Sequence, residues 1–196
     1  MMSFSEAVTC FRLDEDRKIL GSGGYSVVYR IEPSGRIVVI RKSRVSLKVQ
    51  RTFLRHEARV LQLVQDHHAF PRLVGNGRAV HFDFLTMELL GDSVKSKVKE
   101  GIAYRHETVS SIGLQMLSAL RFMHLKGIVH RDVKPENILF SLDDTSRVCL
   151  IDLGLGFAFS RGDLAPNRDP QVERRHVCGT LNWCSLHAHA GSEIRP

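Results

Sequence analysis

The stretch H-R-D-V-K-P-E-N, residues 130–137, decides how the rest of this chain is interpreted. Its side chains suit transfer of a phosphoryl group to a hydroxyl, which depends on positioning and on neutralising charge. The Asp132 carboxylate can accept the hydroxyl proton, and the Lys134 ammonium can neutralise charge on the migrating phosphoryl oxygens. Asn137 can offer its amide oxygen to a magnesium ion, which prefers oxygen ligands. The stretch therefore predicts a catalytic loop for phosphoryl transfer.

A second metal-ligating side chain follows a short apolar run further along the chain. The run V-C-L-I, residues 148–151, is typical of a strand and leads into D-L-G, which begins at Asp152. Asp152 and Asn137 together predict an oxygen-ligand site for Mg²⁺. The two motifs in this order resemble the catalytic loop and the magnesium loop of the protein kinases, with Leu153 where phenylalanine is commoner. The resemblance implies ATP and Mg²⁺ as cofactors and a two-lobed α+β fold.

A glycine-rich segment near the N-terminus is predicted to form a hairpin, because strand-forming residues flank it on both sides. Glycine has no Cβ, so backbone N–H groups in such a segment can approach phosphates closely. The segment resembles the kinase G-x-G-x-x-G loop, with a serine at the third glycine position. The resemblance implies that the nucleotide lies against Leu20, Gly21, Ser22, Gly23, Gly24, Tyr25, Ser26 and Val28.

The next predicted strand, residues 36–42, offers two candidates for the cation that kinases place against the nucleotide phosphates. Kinases carry V-A-I-K here, and R-I-V-V-I-R-K can be aligned to it in two registers. Because strand residues alternate between faces, a shift by one residue exchanges Arg41 and Lys42. If Arg41 holds the position, catalysis is in doubt, because a planar guanidinium does not replace a compact ammonium. We expect Lys42 to hold it, with Arg41 directed to solvent.

Apolar residues at helical spacing predict two helices, over residues 47–64 and 107–126, and Gly127 ends the second. Glu57 on the first helix resembles the kinase carboxylate that pairs with the strand cation, here expected to be Lys42. Between the two helices, residues 71–77 are rich in glycine and are predicted to contain a turn between two short strands.

The apolar run at residues 81–90 resembles the linker between the kinase lobes. The resemblance implies that Met87 limits the back of the adenine pocket, and that Glu88 and Leu90 belong to the linker whose backbone binds adenine. The linker sequence M-E-L-L-G is closer to the casein kinase 1 group than to kinases at large. The S-L-H sequence at residues 185–187 stands where most kinases have A-P-E, which is similar to the casein kinase 1, tau-tubulin kinase and vaccinia-related kinase groups. The chain is therefore identified as a member of the casein kinase 1 superfamily.

The resemblance covers residues 19 to about 191 and implies three parts. Residues 1–16 are expected to be a flexible lead-in, residues 17–90 the N-lobe with the lobe linker, and residues 91–196 a partial C-lobe that ends after the activation segment. Kinase domains of this family are considerably longer, and a hydrophobic helix follows directly at this point. We therefore expect a fragment with uncovered apolar surface in its C-lobe and doubtful activity.

The formal net charge of +7 favours anionic partners. The resemblance implies that residues 160–176 are an activation segment. The arginines of this segment would suit an acidic or phosphorylated protein substrate. These arginines are Arg161, Arg168, Arg174 and Arg175. Nucleic acid is an unfavoured partner, because no basic repeat with interleaved aromatic residues is present. The first 18 residues lack the apolar core of a signal peptide, and no apolar run reaches membrane-spanning length, so we expect no membrane association. Four cysteines without a secretory segment favour reduced thiols in the cytoplasm or nucleus.

The expected function is ATP-dependent phosphorylation of serine or threonine hydroxyls on protein. The resemblance favours serine and threonine over tyrosine, because tyrosine kinases lack a lysine at the position of Lys134. The rival interpretation is a catalytically silent pseudokinase scaffold, or a kinase fragment without function. An arginine in place of the strand lysine would favour the rival, whereas the intact catalytic loop, Glu57 and Asp152 favour the enzyme.

Overall fold

The computed structural model describes residues 18–22, 26–31, 38–44, 52–79, 82–99, 101, 103–158 and 179–189. Its N-terminal part is an antiparallel sheet in which strands lie in the order β1-β2-β3-β5-β4. The strands are β1 (Lys18–Ser22), β2 (Val27–Ile31), β3 (Val38–Arg44), β4 (Leu73–Ala79) and β5 (Phe82–Glu88). The β5 strand has five consecutive buried residues, as expected for a strand covered on both faces.

The turn predicted at residues 71–77 is wrong, because most of these residues belong to β4. Asn76 and two glycines suggested a turn, but pairing with β5 satisfies their backbone groups instead. The register shifts between Leu73 and Gly75, which marks a bulge. Glycine is common at bulges, so the same residue type that signals a turn here accommodates an irregular strand.

Helix α1 (Phe53–Leu63) packs beside this sheet and carries Glu57. Its buried apolar side chains recur three or four residues apart along one face, which is why this segment forms an amphipathic helix. Thr52 caps its N-terminus, where the side-chain oxygen accepts a hydrogen bond from the Arg55 backbone N–H at 3.3 Å. The part of the predicted helix before Thr52 lies outside the described residues.

The second part of the chain is mainly helical and contains β6 (Leu90–Ser93), α2 (Val94–Lys99), α3 (His106–Leu125), β7 (Ile128–Val129), β8 (Ile138–Ser141), β9 (Val148–Leu150), β10 (Phe157–Ala158) and α4 (Leu186–His189). Its strands form two small sheets, β6-β8-β9 and β7-β10. Helix α3 confirms the helix predicted over residues 107–126, and Gly127 follows it with a φ of 74°. A left-handed conformation is the usual way for glycine to end a helix.

One hydrophobic cluster joins the two parts. It contains Leu61 of α1, Leu85 of β5, Met123 of α3 and Leu150 of β9, each at most 1% exposed. The cluster therefore fixes α1 and the N-terminal sheet against the strands that precede the predicted magnesium loop. Within the described ranges, no helix is long and apolar enough to cross a membrane.

Candidate active site

The predicted catalytic loop leaves β7, passes through a 3₁₀ turn at Pro135–Asn137 and continues into β8. His130 is 2% exposed and holds this loop in place. Its Nδ1 accepts a hydrogen bond from the Asp132 backbone N–H at 3.2 Å, so its Nε2 is the atom that donates to the Ile151 carbonyl at 3.0 Å. Burial lowers the pKa of His130, which favours this neutral form. The histidine thus fixes Asp132 relative to the residue before Asp152.

The carboxylate of Asp132 is the centre of a hydrogen-bond network. Lys134 Nζ lies 2.7 Å from Oδ2, and the Asn137 amide nitrogen donates to the same oxygen at 3.1 Å. Thr180 donates to Oδ1 from its backbone N–H at 2.9 Å and from its hydroxyl at 2.8 Å. Burial alone would raise the pKa of Asp132, but the hydrogen bonds from Lys134 and Thr180 outweigh it and lower the pKa. Asp132 is therefore an oriented, ionised carboxylate, as a proton acceptor needs to be.

Gly179 brings Thr180 to this network. It has a φ of 96°, and a Cβ at this position would lie 2.5 Å from the Arg131 carbonyl oxygen. Only glycine combines this conformation with so close an approach of two backbone segments. Sequence analysis does not assign Thr180 to the site, although its place directly after Gly179 is a possible signal.

A backbone hydrogen bond holds Asn137 beside the residue that precedes Asp152. The Ile151 N–H donates to the Asn137 carbonyl at 2.9 Å, which places Asp152 one residue beyond this contact. The Asn137 amide nitrogen also donates to the Asp132 carbonyl at 2.8 Å, so the amide oxygen is the atom suited to a metal ion. Asp152 adopts the left-handed conformation, with a φ of 64°. An amide oxygen and a carboxylate fit Mg²⁺, although one oxygen of Asp152 also contacts a guanidinium.

That guanidinium belongs to Arg41, and the expectation that Lys42 is the strand cation is corrected by this contact. Arg41 NH1 forms an ion pair with Glu57 and lies 3.3 Å from Asp152 Oδ1. In the β2–β3 register Arg41 lies opposite Val28, and both residues line the pocket described below. Arg41 therefore lies on the pocket face and is only 20% exposed, not directed to solvent as expected. The side chain of Lys42 lies outside the described residues.

Arg41 and Glu57 perturb each other's pKa strongly because both side chains are mostly buried. Burial raises the pKa of Glu57 to about 7, since it outweighs the attraction of the Arg41 charge. Asp152 adds a second negative charge nearby and raises the pKa of Glu57 further. Burial would lower the pKa of Arg41, but the two carboxylates outweigh it and raise that pKa. One cation shared by two carboxyl groups leaves excess negative charge, and a proton on Glu57 relieves it.

A pocket of about 890 Å³ connects these groups to the lobe linker. Its volume is within the range of small-molecule and cofactor sites. Of the residues predicted to bind nucleotide, the structure places Leu20, Gly21, Ser22, Ser26, Val28, Arg41, Glu57, Met87, Glu88 and Leu90 in its lining, together with Asp152. Gly23, Gly24 and Tyr25 were also predicted, and they lie outside the described residues.

The chain matches the family described as "Protein kinase domain" over residues 15–187. It belongs to the protein kinase family. The chain is 29% identical over 177 residues to "Probable casein kinase I homolog" of Encephalitozoon cuniculi (strain GB-M1), covering 89% of this chain and 54% of that protein. It is 32% identical over 201 residues to "Putative ribosomal protein S6 kinase alpha-2" of Caenorhabditis elegans, covering 99% of this chain and 25% of that protein. The chain thus spans about half the length of the first relative and a quarter of the second.

In this member of the kinase family, the acidic residue of the predicted lobe linker has a structural partner that sequence analysis missed. Glu88 Oε1 accepts a hydrogen bond from Arg147 NH2 at 2.6 Å, and the Glu88 backbone N–H donates to the Arg72 carbonyl at 3.0 Å. Arg147 also donates to the His68 carbonyl at 2.8 Å, so it ties the linker to the turn after α1. The Glu88 carboxylate is thus paired with Arg147, although the residue lines the pocket. No sequence signal indicated Arg147, because it precedes β9 without a motif.

The predicted activation segment, residues 160–176, lies outside the described residues, as does the predicted lead-in at residues 1–16. The division of the chain at residues 17, 90 and 91 therefore stays a prediction.

Proposed function

We propose that the chain transfers the terminal phosphoryl group of ATP to serine or threonine hydroxyls on protein. The observation that supports this function best is the network around Asp132, in which Lys134, Thr180 and Asn137 hold one carboxylate. This arrangement provides an oriented proton acceptor with a cation beside it. A carboxylate held in this way suits a reaction that depends on positioning and on charge neutralisation.

The proposed reaction assigns one task to each group. Asp132 accepts the proton of the attacking hydroxyl, and Lys134 neutralises charge on the transferred phosphoryl group. Asn137 and Asp152 hold Mg²⁺, which supplies neutralisation of charge on the phosphates of ATP. Met87 and the linker backbone bound the adenine end of the pocket, and Arg41 contacts the phosphates with Glu57 as its partner. Thr180 orients Asp132 and is a positioning residue.

We further propose that the protein substrate is acidic or already phosphorylated. The net charge of +7 and the arginines at residues 160–176 support this substrate class, because they favour anionic ligands. Cytoplasm or nucleus is the proposed location, because the free thiols of Cys149 and Cys184 suit a reducing compartment.

The test is transfer of labelled phosphate from ATP to an acidic peptide, a phosphate-primed peptide and a basic peptide. Asp132→Asn is expected to lower the turnover by at least about a hundredfold, because the amide cannot accept the proton. The matched control is Asp143→Asn, which changes an exposed carboxylate outside the pocket and should leave turnover unchanged. Turnover by Asp132→Asn at the parent rate, or a preference for the basic peptide, would contradict the corresponding part of the proposal.

A second candidate function is a scaffold that binds nucleotide and a protein partner without turnover. Arg41 in place of the strand lysine favours this candidate, because the geometry of a guanidinium differs from that of an ammonium. The same transfer assay separates the two functions. Absence of labelled phosphate on all three peptides, with nucleotide binding retained, would support the scaffold and contradict the enzyme.

A further inference from the structure

Arg41 connects three separate segments that surround the phosphate end of the pocket. Its NH1 contacts Glu57 of α1 and Asp152 of the magnesium loop, and its NH2 donates to the Ser26 hydroxyl at 3.3 Å. Ser26 lies at the end of the glycine-rich segment and is 8% exposed. A lysine has a single nitrogen, whereas a guanidinium presents five N–H donors on three nitrogens in one plane. The arginine thus reaches the three partners through two nitrogens, whereas the single nitrogen of a lysine would need all three partners to converge on one point.

The two residues that depart from the common kinase pattern at this site thus contact each other. Ser26 stands where the third glycine of the loop is expected, and Arg41 stands where the lysine is expected. The serine hydroxyl accepts a hydrogen bond from Arg41, and a glycine has no side chain that could accept it. The contact directs one edge of the guanidinium towards the glycine-rich segment, which is where the nucleotide phosphates are proposed to lie.

The guanidinium also retains donor capacity. Each terminal nitrogen carries two N–H groups, and NH2 uses one of them on Ser26. The Arg41 Nε is buried and has no hydrogen-bond partner within the part of the chain that the structure describes. A phosphate group can accept two parallel hydrogen bonds from a guanidinium edge, and such charge-assisted pairs are the strong ones.

From this geometry we propose that Arg41 itself holds the nucleotide phosphates, so that Mg²⁺ contributes little to nucleotide binding. This inference rests on the nucleotide site of the proposed function and concerns binding only, while the transfer step keeps its need for Mg²⁺. A metal ion at Asp152 shares that carboxylate with a guanidinium 3.3 Å from Oδ1. The two cations repel each other and compete for one oxygen, which weakens the gain from adding the metal.

The test measures binding of ADP to the parent protein in EDTA and in excess MgCl₂ by titration calorimetry. ADP is used because it cannot donate the terminal phosphoryl group of ATP. The dissociation constant is expected to differ by less than about threefold between the two conditions, because the fixed cation serves in both. Weak or absent ADP binding in EDTA that Mg²⁺ restores would overturn the inference, and so would a failure of ADP to bind in either condition.

Arg41→Lys provides the matched comparison, with Arg59→Lys on the exposed face of α1 as the control. The lysine loses the Ser26 contact and the paired donors, so its ADP affinity in EDTA should fall by about tenfold or more and recover with Mg²⁺. Arg59→Lys should match the parent in both conditions. Equal affinities of Arg41→Lys and the parent in EDTA would contradict the role of the guanidinium.

Ser26→Gly is a second variant for the same inference, since it removes the hydroxyl without touching the ion pairs of Arg41. It should weaken ADP binding in EDTA in the parent but not in the Arg41→Lys background, because the contact is then already lost. Equal effects in both backgrounds would contradict the Ser26–Arg41 coupling. If ADP binds independently of Mg²⁺ but no phosphate is transferred, the proposed enzyme activity is refuted and this inference stands. If phosphate is transferred but ADP binding depends on Mg²⁺, this inference is refuted and the proposed enzyme activity stands.

Discussion

At the scale of single residues, the cation between Glu57 and Asp152 governs the electrostatics of the pocket. Arg41 is 20% exposed and Glu57 is 4% exposed, so their charges interact where water screens them little. A buried ion pair with a third charge beside it is not automatically stabilising, because desolvation opposes the attraction. The raised pKa of Glu57 reports that desolvation is the larger effect here.

The raised pKa of Glu57 predicts that this residue makes stability depend on pH. Its pKa is about 7 in the folded protein against an ordinary value of 4.5, so the folded state holds this proton more tightly. The resulting stabilisation is full below about pH 4.5 and is lost as the pH rises through about 7. Relative to Glu57→Gln, the free energy of unfolding of the parent should fall by on the order of 3 kcal/mol between about pH 4.5 and about pH 8.

Urea unfolding of both proteins across this pH range measures the difference. Glu107→Gln is the control, because Glu107 is an exposed glutamate in the first turn of α3. Its unfolding free energy should follow the parent at each pH. Parallel curves for the parent and Glu57→Gln would show that the pKa of Glu57 is not raised in the folded protein.

At the scale of elements, the N-terminus of α1 is fixed to the sheet by the same residue that caps it. The Thr52 hydroxyl accepts from the Arg55 N–H and donates to the Asp83 carboxylate on β5. Asp83 is fully buried and also pairs with Arg78 at 2.7 Å. Because Glu57 lies about one turn after the capped end, the cap helps to set where Glu57 meets Arg41.

Thr52→Ala is expected to lower the free energy of unfolding by roughly 1–2 kcal/mol, because it removes the cap and one partner of a buried carboxylate. Thr52→Ser keeps the hydroxyl and is the matched variant, with an expected loss well below that of the alanine. Chemical denaturation at neutral pH compares the three proteins. Equal stabilities of the alanine and serine variants would mean that the hydroxyl does not contribute.

At the scale of the whole molecule, helix α3 has one buried side and one exposed apolar side. Met116, Ala119 and Met123 are buried, whereas Leu114, Leu117 and Leu125 are 66–77% exposed. Exposed leucines on one helix form the kind of apolar surface that promotes association.

We therefore predict that this surface causes the chain to self-associate. Replacing Leu114 and Leu117 by lysine should shift the protein towards the monomer, with a change in unfolding free energy within about 0.5 kcal/mol per site, because neither side chain is buried. Sedimentation velocity measures the association state, and thermal unfolding measures stability. Met116→Lys, one residue before Leu117 but 7% exposed, should instead unfold the protein. Unchanged association in the double variant would contradict the prediction.

The sequence by itself determined the family and helix α3, and it predicted most of the residues that line the pocket, because these depend on local chemistry. A motif such as residues 130–137 requires particular side chains at fixed short distances along the chain, and those can be read directly. Helix α3 has an apolar periodicity and a terminal glycine, which are also local signals.

Only the tertiary structure decided which cation enters the site and which distant residues complete it. The register of β3 depends on its partners β2 and β5, and a strand with apolar residues on both faces does not specify it. The same holds for β4, where pairing with β5 replaced the predicted turn. Thr180 reaches Asp132, and Arg147 reaches Glu88, across long stretches of chain. Such contacts form because packing brings separate segments together, and a motif within one segment does not specify its partner in another.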